Sequence, residues 1–141
     1  MAWESPAWPD PHVALCRVDA NTTNFVQNAG RWQSLDWENS GWGDPAFELA
    51  DLMLHPAYLA VPDMRWTQVV ELYTQLTGNE VAERLEVYYP ALLVFWAVRF
   101  ARYLYEVPRG LDLRLVARPT DWHADFRRKY QKYLERAVQR F

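Results

Sequence analysis

The sequence predicts an α+β fold that is mostly helical and contains one short β-hairpin. The hairpin is indicated by two short segments that flank Asn28-Ala29-Gly30, because such residues favour tight turns between strands. The helices are indicated by apolar residues at helical spacing after Asp44, with capping and breaking residues at the ends of the runs. A chain of 141 residues that is 50% hydrophobic and 16% aromatic has the composition of a folded domain. We therefore expect residues 1–141 to form a single domain.

The predicted hairpin consists of residues 25–27 and 31–35. Asn24 lies just before its first strand, and Asp36 lies just after its second. Because the strands of a hairpin run antiparallel, the residues at its open end lie side by side. The hairpin is therefore expected to bring Asn24 and Asp36 close together.

About four to five helices are predicted after the hairpin, and the first two have clear signals. Asp44 can cap the first helix and Pro45 fits its first turn, so this helix should run to about residue 55 and stop at Pro56. The second helix is predicted over residues 63–77, where apolar residues recur at helical spacing, and Gly78 should end it. Both helices thus have a stop signal in the sequence.

The longest helical pattern covers residues 80–106, and Asn79 can cap it. Pro90 must kink or split this helix, because proline lacks the N–H that an inner helical position donates. The apolar run 91–98 should be the buried part of the helix. Pro108 and the glycine that follows at position 110 should end the pattern.

The C-terminal part of the chain is basic, whereas the rest is acidic. Residues 1–98 carry 4 Lys/Arg and 13 Asp/Glu, and residues 99–141 carry 11 and 5. A short extended stretch is predicted at 111–115, and a tail helix should start at Thr120 or Asp121. Apolar residues recur along this helix at helical spacing: Phe126, Tyr130, Tyr133, Leu134, Ala137, Val138 and Phe141. Its basic residues then form a solvated outer face, and we expect no nucleic-acid partner.

Three oxygen-bearing side chains follow one another at a spacing used in phosphoryl transfer. Asn24 lies five residues after Asp19, and Asp36 lies twelve residues after Asn24. In the kinase template the first Asp accepts the proton of the substrate hydroxyl, the Asn holds one magnesium ion, and the later Asp holds magnesium against the nucleotide phosphates. Each of these residues alone is also a common turn or capping residue. The ordered set is what indicates a phosphoryl-transfer site.

Three motifs in this region occur in a fixed order. Residues 17–24 hold Asp19 and Asn24 in a short loop, residues 36–38 read D-W-E, and residues 43–50 read G-D-P-A-F-E-L-A. The region resembles the aminoglycoside phosphotransferase and choline kinase-like family, whose members carry H-G-D-x-x-x-x-N, then D-W/F-E, then G-D-P followed by a D-L-A-like helix start. The resemblance covers the C-terminal lobe of a protein-kinase-like fold.

The resemblance implies an ATP-dependent phosphotransferase that acts on a hydroxyl of a small molecule. It implies Asp19 as the catalytic residue, Asn24 and Asp36 as ligands of Mg²⁺ and as cofactor-binding residues, and ATP as co-substrate. The acidic part of the chain would suit magnesium and a cationic acceptor such as an aminosugar or choline. Asp44 is better explained as a helix cap than as a catalytic group.

The chain also departs from the family pattern. Arg17 and Val18 replace the family's His and Gly, and the five glycines form no G-x-G-x-x-G loop. We therefore expect a catalytic lobe whose N-terminal nucleotide lobe is absent, which is inactive alone, and which self-associates or takes the missing lobe as its partner. The alternative is a catalytically silent kinase-like remnant that acts as a binding or interaction module.

No signal peptide is apparent in the sequence, and no membrane-spanning helix is expected. Residues 1–6 show neither a basic start nor an apolar stretch, and the apolar run 91–98 is far short of the roughly 20 residues that a spanning helix needs. We expect a cytoplasmic protein without a membrane partner. Cys16 is the only cysteine and should be a small core residue, and the three histidines lack the spacing of a zinc site.

Overall fold

The computed structural model describes residues 13–19, 21–112 and 117–141. In these ranges the chain forms four α-helices and two small antiparallel sheets, so the predicted α+β, mostly helical class is confirmed. The chain divides into two compact units, Met1–Leu85 and Glu86–Phe141. The single-domain assignment stays a prediction, and part of the stretch predicted as extended at 111–115 lies outside the described residues.

The first unit contains both sheets. Strand β1 (Ala14–Cys16) pairs with β4 (Gly41–Gly43), and β2 (Phe25–Asn28) pairs with β3 (Arg31–Ser34). The β2–β3 pair is the predicted hairpin. Its two turn residues both have positive φ, 48° at Ala29 and 76° at Gly30, as a type I′ turn requires. The β1–β4 pair was not predicted, because the two strands are distant in the sequence.

Helices α1 (Pro45–Leu54) and α2 (Asp63–Thr77) also belong to the first unit, and both predictions are confirmed. Asp44 caps α1, since its Oδ1 accepts a hydrogen bond of 2.9 Å from the backbone N–H of Ala46. Gly78 ends α2 with a φ of 68°, a conformation that glycine adopts without strain. Local signals therefore set the limits of these two helices.

Helix α3 (Ala82–Glu106) runs without interruption through Pro90, so the proline does not split it. The expected cap at Asn79 is wrong, because the helix begins three residues later. The Oδ1 of Asn79 instead accepts a hydrogen bond of 3.1 Å from Nη2 of Arg84. At its other end α3 gives way to a short 3₁₀ turn, Val107–Arg109, and then to Gly110 with a φ of 68°.

Only one face of the apolar run 91–98 is buried, so the expectation for this run is wrong in part. Its buried residues are Leu92, Leu93, Trp96 and Ala97, whereas Val94, Phe95 and Val98 are exposed. The buried positions recur three or four residues apart, as they do when a helix packs on one side. Among the described helices, none is both long and apolar enough to cross a membrane.

Helix α4 (Trp122–Val138) confirms the predicted tail helix, with Asp121 at the position before it. Four aromatic side chains of α3 and α4, here called the aromatic core, pack together: Trp96, Phe100, Phe126 and Tyr133. The Tyr133 ring stacks on Phe100 at 5.6 Å and on Trp96 at 6.0 Å, and Phe126 meets Phe100 edge-on at 5.2 Å. Such ring pairs stabilise a core beyond simple burial. This cluster is the centre of the second unit.

Candidate active site

The three predicted site residues lie together at the open end of the β2–β3 hairpin. The side-chain Nδ2 of Asn24 donates to Oδ2 of Asp19 over 3.4 Å and to Oδ2 of Asp36 over 3.5 Å. One amide thus joins both carboxylates. Bonds of this length are weak, so the group can readily exchange these contacts for those of a ligand.

The loop that carries Asp19 is shaped by side chains that bond to the backbone. Oδ1 of Asp19 accepts from the N–H of Asn21 over 3.3 Å, and Oδ1 of Asn21 accepts from the N–H of Thr23 over 3.1 Å. The N–H of Asn24 donates to the carbonyl of Asn21 over 3.0 Å. Asp and Asn favour such local turns, so these residue types fold the loop tightly between Asp19 and Asn24.

The hairpin places Asp36 beside Asn24. The N–H of Leu35 donates to the carbonyl of Asn24 over 2.7 Å, one position beyond the last strand pair. Asp36 itself has a φ of 59°, a left-handed conformation that Asp tolerates better than most residues. The next residue, Trp37, donates its indole N–H to the carbonyl of Ser34 over 3.0 Å. The chain therefore turns sharply at Asp36, and the carboxylate reaches the amide of Asn24.

Arg17, which stands two residues before Asp19, is a buried cation. It is only 4% exposed, its Nη1 donates to Oγ of Ser34 over 2.9 Å, and its guanidinium lies 4.7 Å from the ring centre of Phe25. Its Nε and Nη2 are buried and have no hydrogen-bond partner among the described residues. Burying a polar group without a partner costs about 1–3 kcal/mol. Nothing in the sequence signalled this arrangement.

Val18 has a φ of 63°, so a β-branched residue adopts the left-handed conformation between Arg17 and Asp19. For a residue with a β-carbon this conformation costs about 1–2 kcal/mol. Glycine at this position would avoid that cost. The loop therefore carries backbone strain directly before the predicted catalytic residue.

Cys16 is 2% exposed and lies beside Glu48, which confirms its predicted place in the core. Burial raises the pKa of the Cys16 thiol to about 11, and the neighbouring carboxylate of Glu48 adds to the effect. Oε1 of Glu48 also accepts a hydrogen bond of 3.0 Å from the backbone N–H of Arg17. Glu48 thus ties the start of the loop to α1, while the thiol stays neutral and unreactive.

Asp44 has the structural role that the sequence predicts. One of its oxygens caps α1, and Oδ2 forms an ion pair of 2.8 Å with Nε of Arg84. Both side chains are largely buried, with 10% and 13% exposure for Asp44 and Arg84. The Asp44 carboxylate therefore links the N-terminus of α1 to the start of α3.

The donor set of the site fits magnesium. Two carboxylates and an amide offer hard oxygen ligands, and Mg²⁺ commonly binds one or two protein oxygens and keeps several waters. In the described part of the chain, no group of three or more His, Cys, Asp or Glu side chains could hold a metal ion. A metal at this site would therefore depend on Asp36, the Asn24 amide oxygen and water, as magnesium permits.

The second unit contains an open groove of about 670 Å³ that the sequence did not indicate. It is lined mainly by α3, from Phe95 to Glu106, and it holds none of the predicted site residues. Two of its acidic side chains are engaged in ion pairs, Glu106 with Arg102 and Asp112 with Arg118. At about 670 Å³ the groove is as large as a typical ligand pocket. None of Asp19, Asn24 and Asp36 lines it.

Comparison of the chain with protein-family models, with curated proteins and with solved structures gave no match. The kinase-like resemblance therefore stays a prediction from the three motifs.

Proposed function

We propose that this chain carries the catalytic lobe of an ATP-dependent phosphotransferase that acts on a hydroxyl of a small molecule. The observation that supports the proposal most directly is the meeting of Asp19, Asn24 and Asp36 at one end of the hairpin. These are the residue types that phosphoryl transfer uses, in the expected order along the chain. We further propose that the lobe has the protein-kinase-like fold.

In this proposal Asp19 orients the acceptor hydroxyl and accepts its proton. One oxygen of Asp19 is fixed by the N–H of Asn21, and the other accepts from Asn24. These two long contacts orient the carboxylate in the free protein, and an oriented base is what the transfer step requires. The side chain is also partly exposed, so an acceptor can reach it.

Asn24 and Asp36 are proposed as the residues that hold Mg²⁺. The Asp36 residue is exposed, and the terminal amide of Asn24 can present its oxygen after a half-turn about its last bond. When bound, the ion would neutralise charge on the ATP phosphates. The acidic character of residues 1–98 would favour a cationic acceptor, and a cytoplasmic location would supply ATP.

Titration calorimetry with Mn²⁺, and then with ATP in the presence of Mg²⁺, tests the proposal. We expect saturable binding of both, and we expect Asp36→Ala to weaken Mn²⁺ binding by about 100-fold or more, since even residues that only support a ligand contribute about 10-fold to 100-fold. Asp121→Ala is the matched control, because Asp121 is exposed and its side chain makes no capping bond. Equal Mn²⁺ affinity in Asp36→Ala and the wild type would exclude Asp36 as a ligand.

A binding module without catalytic activity is the second candidate. It is favoured by exposed apolar side chains on the two sheets: Trp42 is 78% exposed, Trp32 is 70% exposed, and Leu15, which lies opposite Trp42, is 54% exposed. Exposed apolar surface of this kind often marks a contact with a partner or a second copy of the chain. Self-association in light scattering, together with no binding of Mn²⁺ or ATP, would favour this candidate over the phosphotransferase.

A further inference from the structure

Arg17 contacts the chain on both sides of the candidate active site. It stands two residues before Asp19, its Nη1 bonds to Ser34, and its guanidinium lies over Phe25. Phe25 directly follows Asn24, and Ser34 stands two residues before Asp36. Phe25 and Ser34 are also paired across the last rung of the hairpin. One side chain thus links the three segments that supply the predicted site residues.

The burial of Arg17 is costly for the fold. A guanidinium at 4% exposure has lost its water, and among the described residues it forms no ion pair with a carboxylate. Its hydrogen bond to the hydroxyl of Ser34 and its contact with the Phe25 ring replace that water only in part. If Arg17 served packing alone, an apolar residue of similar size would fill the same space without this desolvation cost.

The backbone at Arg17 and Val18 is also constrained. Its N–H donates to Oε1 of Glu48 on α1, and the following residue, Val18, is kept at a φ of 63°. Strained residues persist only where the surrounding contacts fix them, and such residues cluster at functional sites. The hydrogen bond from the Arg17 N–H to Glu48 and the contacts of its guanidinium with Ser34 and Phe25 supply that constraint.

We propose that Arg17 is a positioning residue that keeps Asp19, Asn24 and Asp36 at fixed positions relative to one another. The consequence for metal binding rests on the function proposed above, whereas the consequence for hairpin geometry does not. Arg17 acts through Ser34 and Phe25 and does not itself touch the metal or the substrate. Residues that orient metal ligands in this way typically contribute about 10-fold to 100-fold to metal affinity.

The test compares four variants of the full chain: Arg17→Met, Ser34→Ala, the double variant, and Arg31→Met as control. Arg31 is an exposed arginine on β3 of the same hairpin. Mn²⁺ affinity is measured from the electron paramagnetic resonance signal of the free ion. Hairpin closure is measured from hydrogen exchange of the Leu35 amide, which donates to Asn24, relative to amides of α1.

We expect Arg17→Met to weaken Mn²⁺ binding by about tenfold or more and to speed exchange at Leu35 selectively. Ser34→Ala should change both quantities in the same direction. Because both substitutions break the same link, the double variant should be no weaker than Arg17→Met by more than about twofold. Arg31→Met should match the wild type in both measurements.

The outcomes separate this inference from the proposed function. If Arg17→Met is folded and keeps wild-type Mn²⁺ affinity and Leu35 exchange, Arg17 is not a positioning residue. If the wild type binds no Mn²⁺ but Arg17→Met still speeds exchange at Leu35, the proposed function fails and the positioning role stands. If Arg17→Met does not fold, Ser34→Ala decides by the same measurements, and wild-type behaviour there overturns the inference.

Discussion

The open end of the hairpin and the aromatic core are stabilised in different ways. At the hairpin, long hydrogen bonds join polar side chains, two nitrogens of a buried arginine have no hydrogen-bond partner among the described residues, and Val18 adopts a strained backbone conformation. In the aromatic core, Phe100 and Tyr133 are almost fully buried and their rings stack at 5.6 Å. The hairpin end therefore lowers the free energy of unfolding, whereas the aromatic core raises it.

This difference predicts whether a substitution in each region should change stability or ligand binding. Regions with few buried apolar contacts contribute little to global stability, and functional groups are commonly found in them. Substitutions in the aromatic core should lower stability and leave ligand binding by the folded protein intact. Substitutions at the hairpin end should change binding more than stability.

The largest effect on stability is expected from Phe100→Ala. Phe100 is 3% exposed and contacts three other rings of the aromatic core. Removing a buried phenyl group typically lowers the free energy of unfolding by about 3–5 kcal/mol. Urea denaturation measures this loss, and Mn²⁺ titration of the folded protein should show unchanged affinity.

Val138→Ala is the control for this substitution, because Val138 is 69% exposed on α4. Its effect should stay within about 0.5 kcal/mol. A loss below about 1 kcal/mol for Phe100→Ala would mean that the aromatic rings do not dominate the stability of the second unit.

Asp44→Ala should have the next largest effect, a loss of about 2 kcal/mol in the free energy of unfolding, because it removes both a helix cap and the partner of Arg84. Asp44→Asn should lose about half as much, since asparagine caps helices as well as aspartate does. Comparing the two variants by thermal unfolding separates the cap from the ion pair. Equal losses would show that the cap contributes nothing measurable.

Val18→Gly should raise the free energy of unfolding by up to about 1 kcal/mol, because it relieves the left-handed strain at the cost of extra chain entropy. Val26→Gly is the opposite control: Val26 lies within β2, where glycine should lower stability by about 1 kcal/mol. Chemical denaturation of both variants gives the two signs. A loss of stability in Val18→Gly would contradict the assignment of strain to this residue.

The last effect is expected from Cys16 and appears only at alkaline pH. Its pKa is about 11 in the folded protein against an ordinary 9.0, so the folded state keeps a proton that the unfolded state loses. This contribution to stability is complete below pH 9 and is lost as pH rises through 11. As the pH is raised from 9 to 11, Cys16→Ala should therefore lose less stability than the wild type.

At pH 8 iodoacetamide should label native Cys16 about 100-fold more slowly than unfolded protein, and equal rates would contradict this.

Local signals in the sequence predicted much of the fold. Gly78 marked the end of α2, the Asp44-Pro45 pair marked the start of α1, and the turn before Arg31 marked the hairpin. The β1–β4 pair escaped prediction because its strands are three residues each and meet only through tertiary folding. The exposed side of 91–98 escaped because an all-apolar run does not indicate which face will pack.

The residues of the candidate site were predicted, and so was the proximity of Asn24 and Asp36, but the contacts that surround them were not. The order of Asp19, Asn24 and Asp36 indicated that they belong together, and the hairpin explains why they meet. The burial of Arg17 and the positive φ of Val18 could not be predicted, because both depend on contacts with segments further along the chain. Motif order thus predicts candidate ligands more readily than the residues that contact them.

The hydrogen bond from Trp37 to the carbonyl of Ser34 gives the site an optical reporter. Indole emission depends on what the ring N–H contacts and on nearby charge, and Trp37 adjoins Asp36 directly. The chain has eight tryptophans, so the difference between the spectra of the wild type and Trp37→Phe isolates this one. The emission wavelength of that difference spectrum would respond to an ion bound beside Asp36 without any added label.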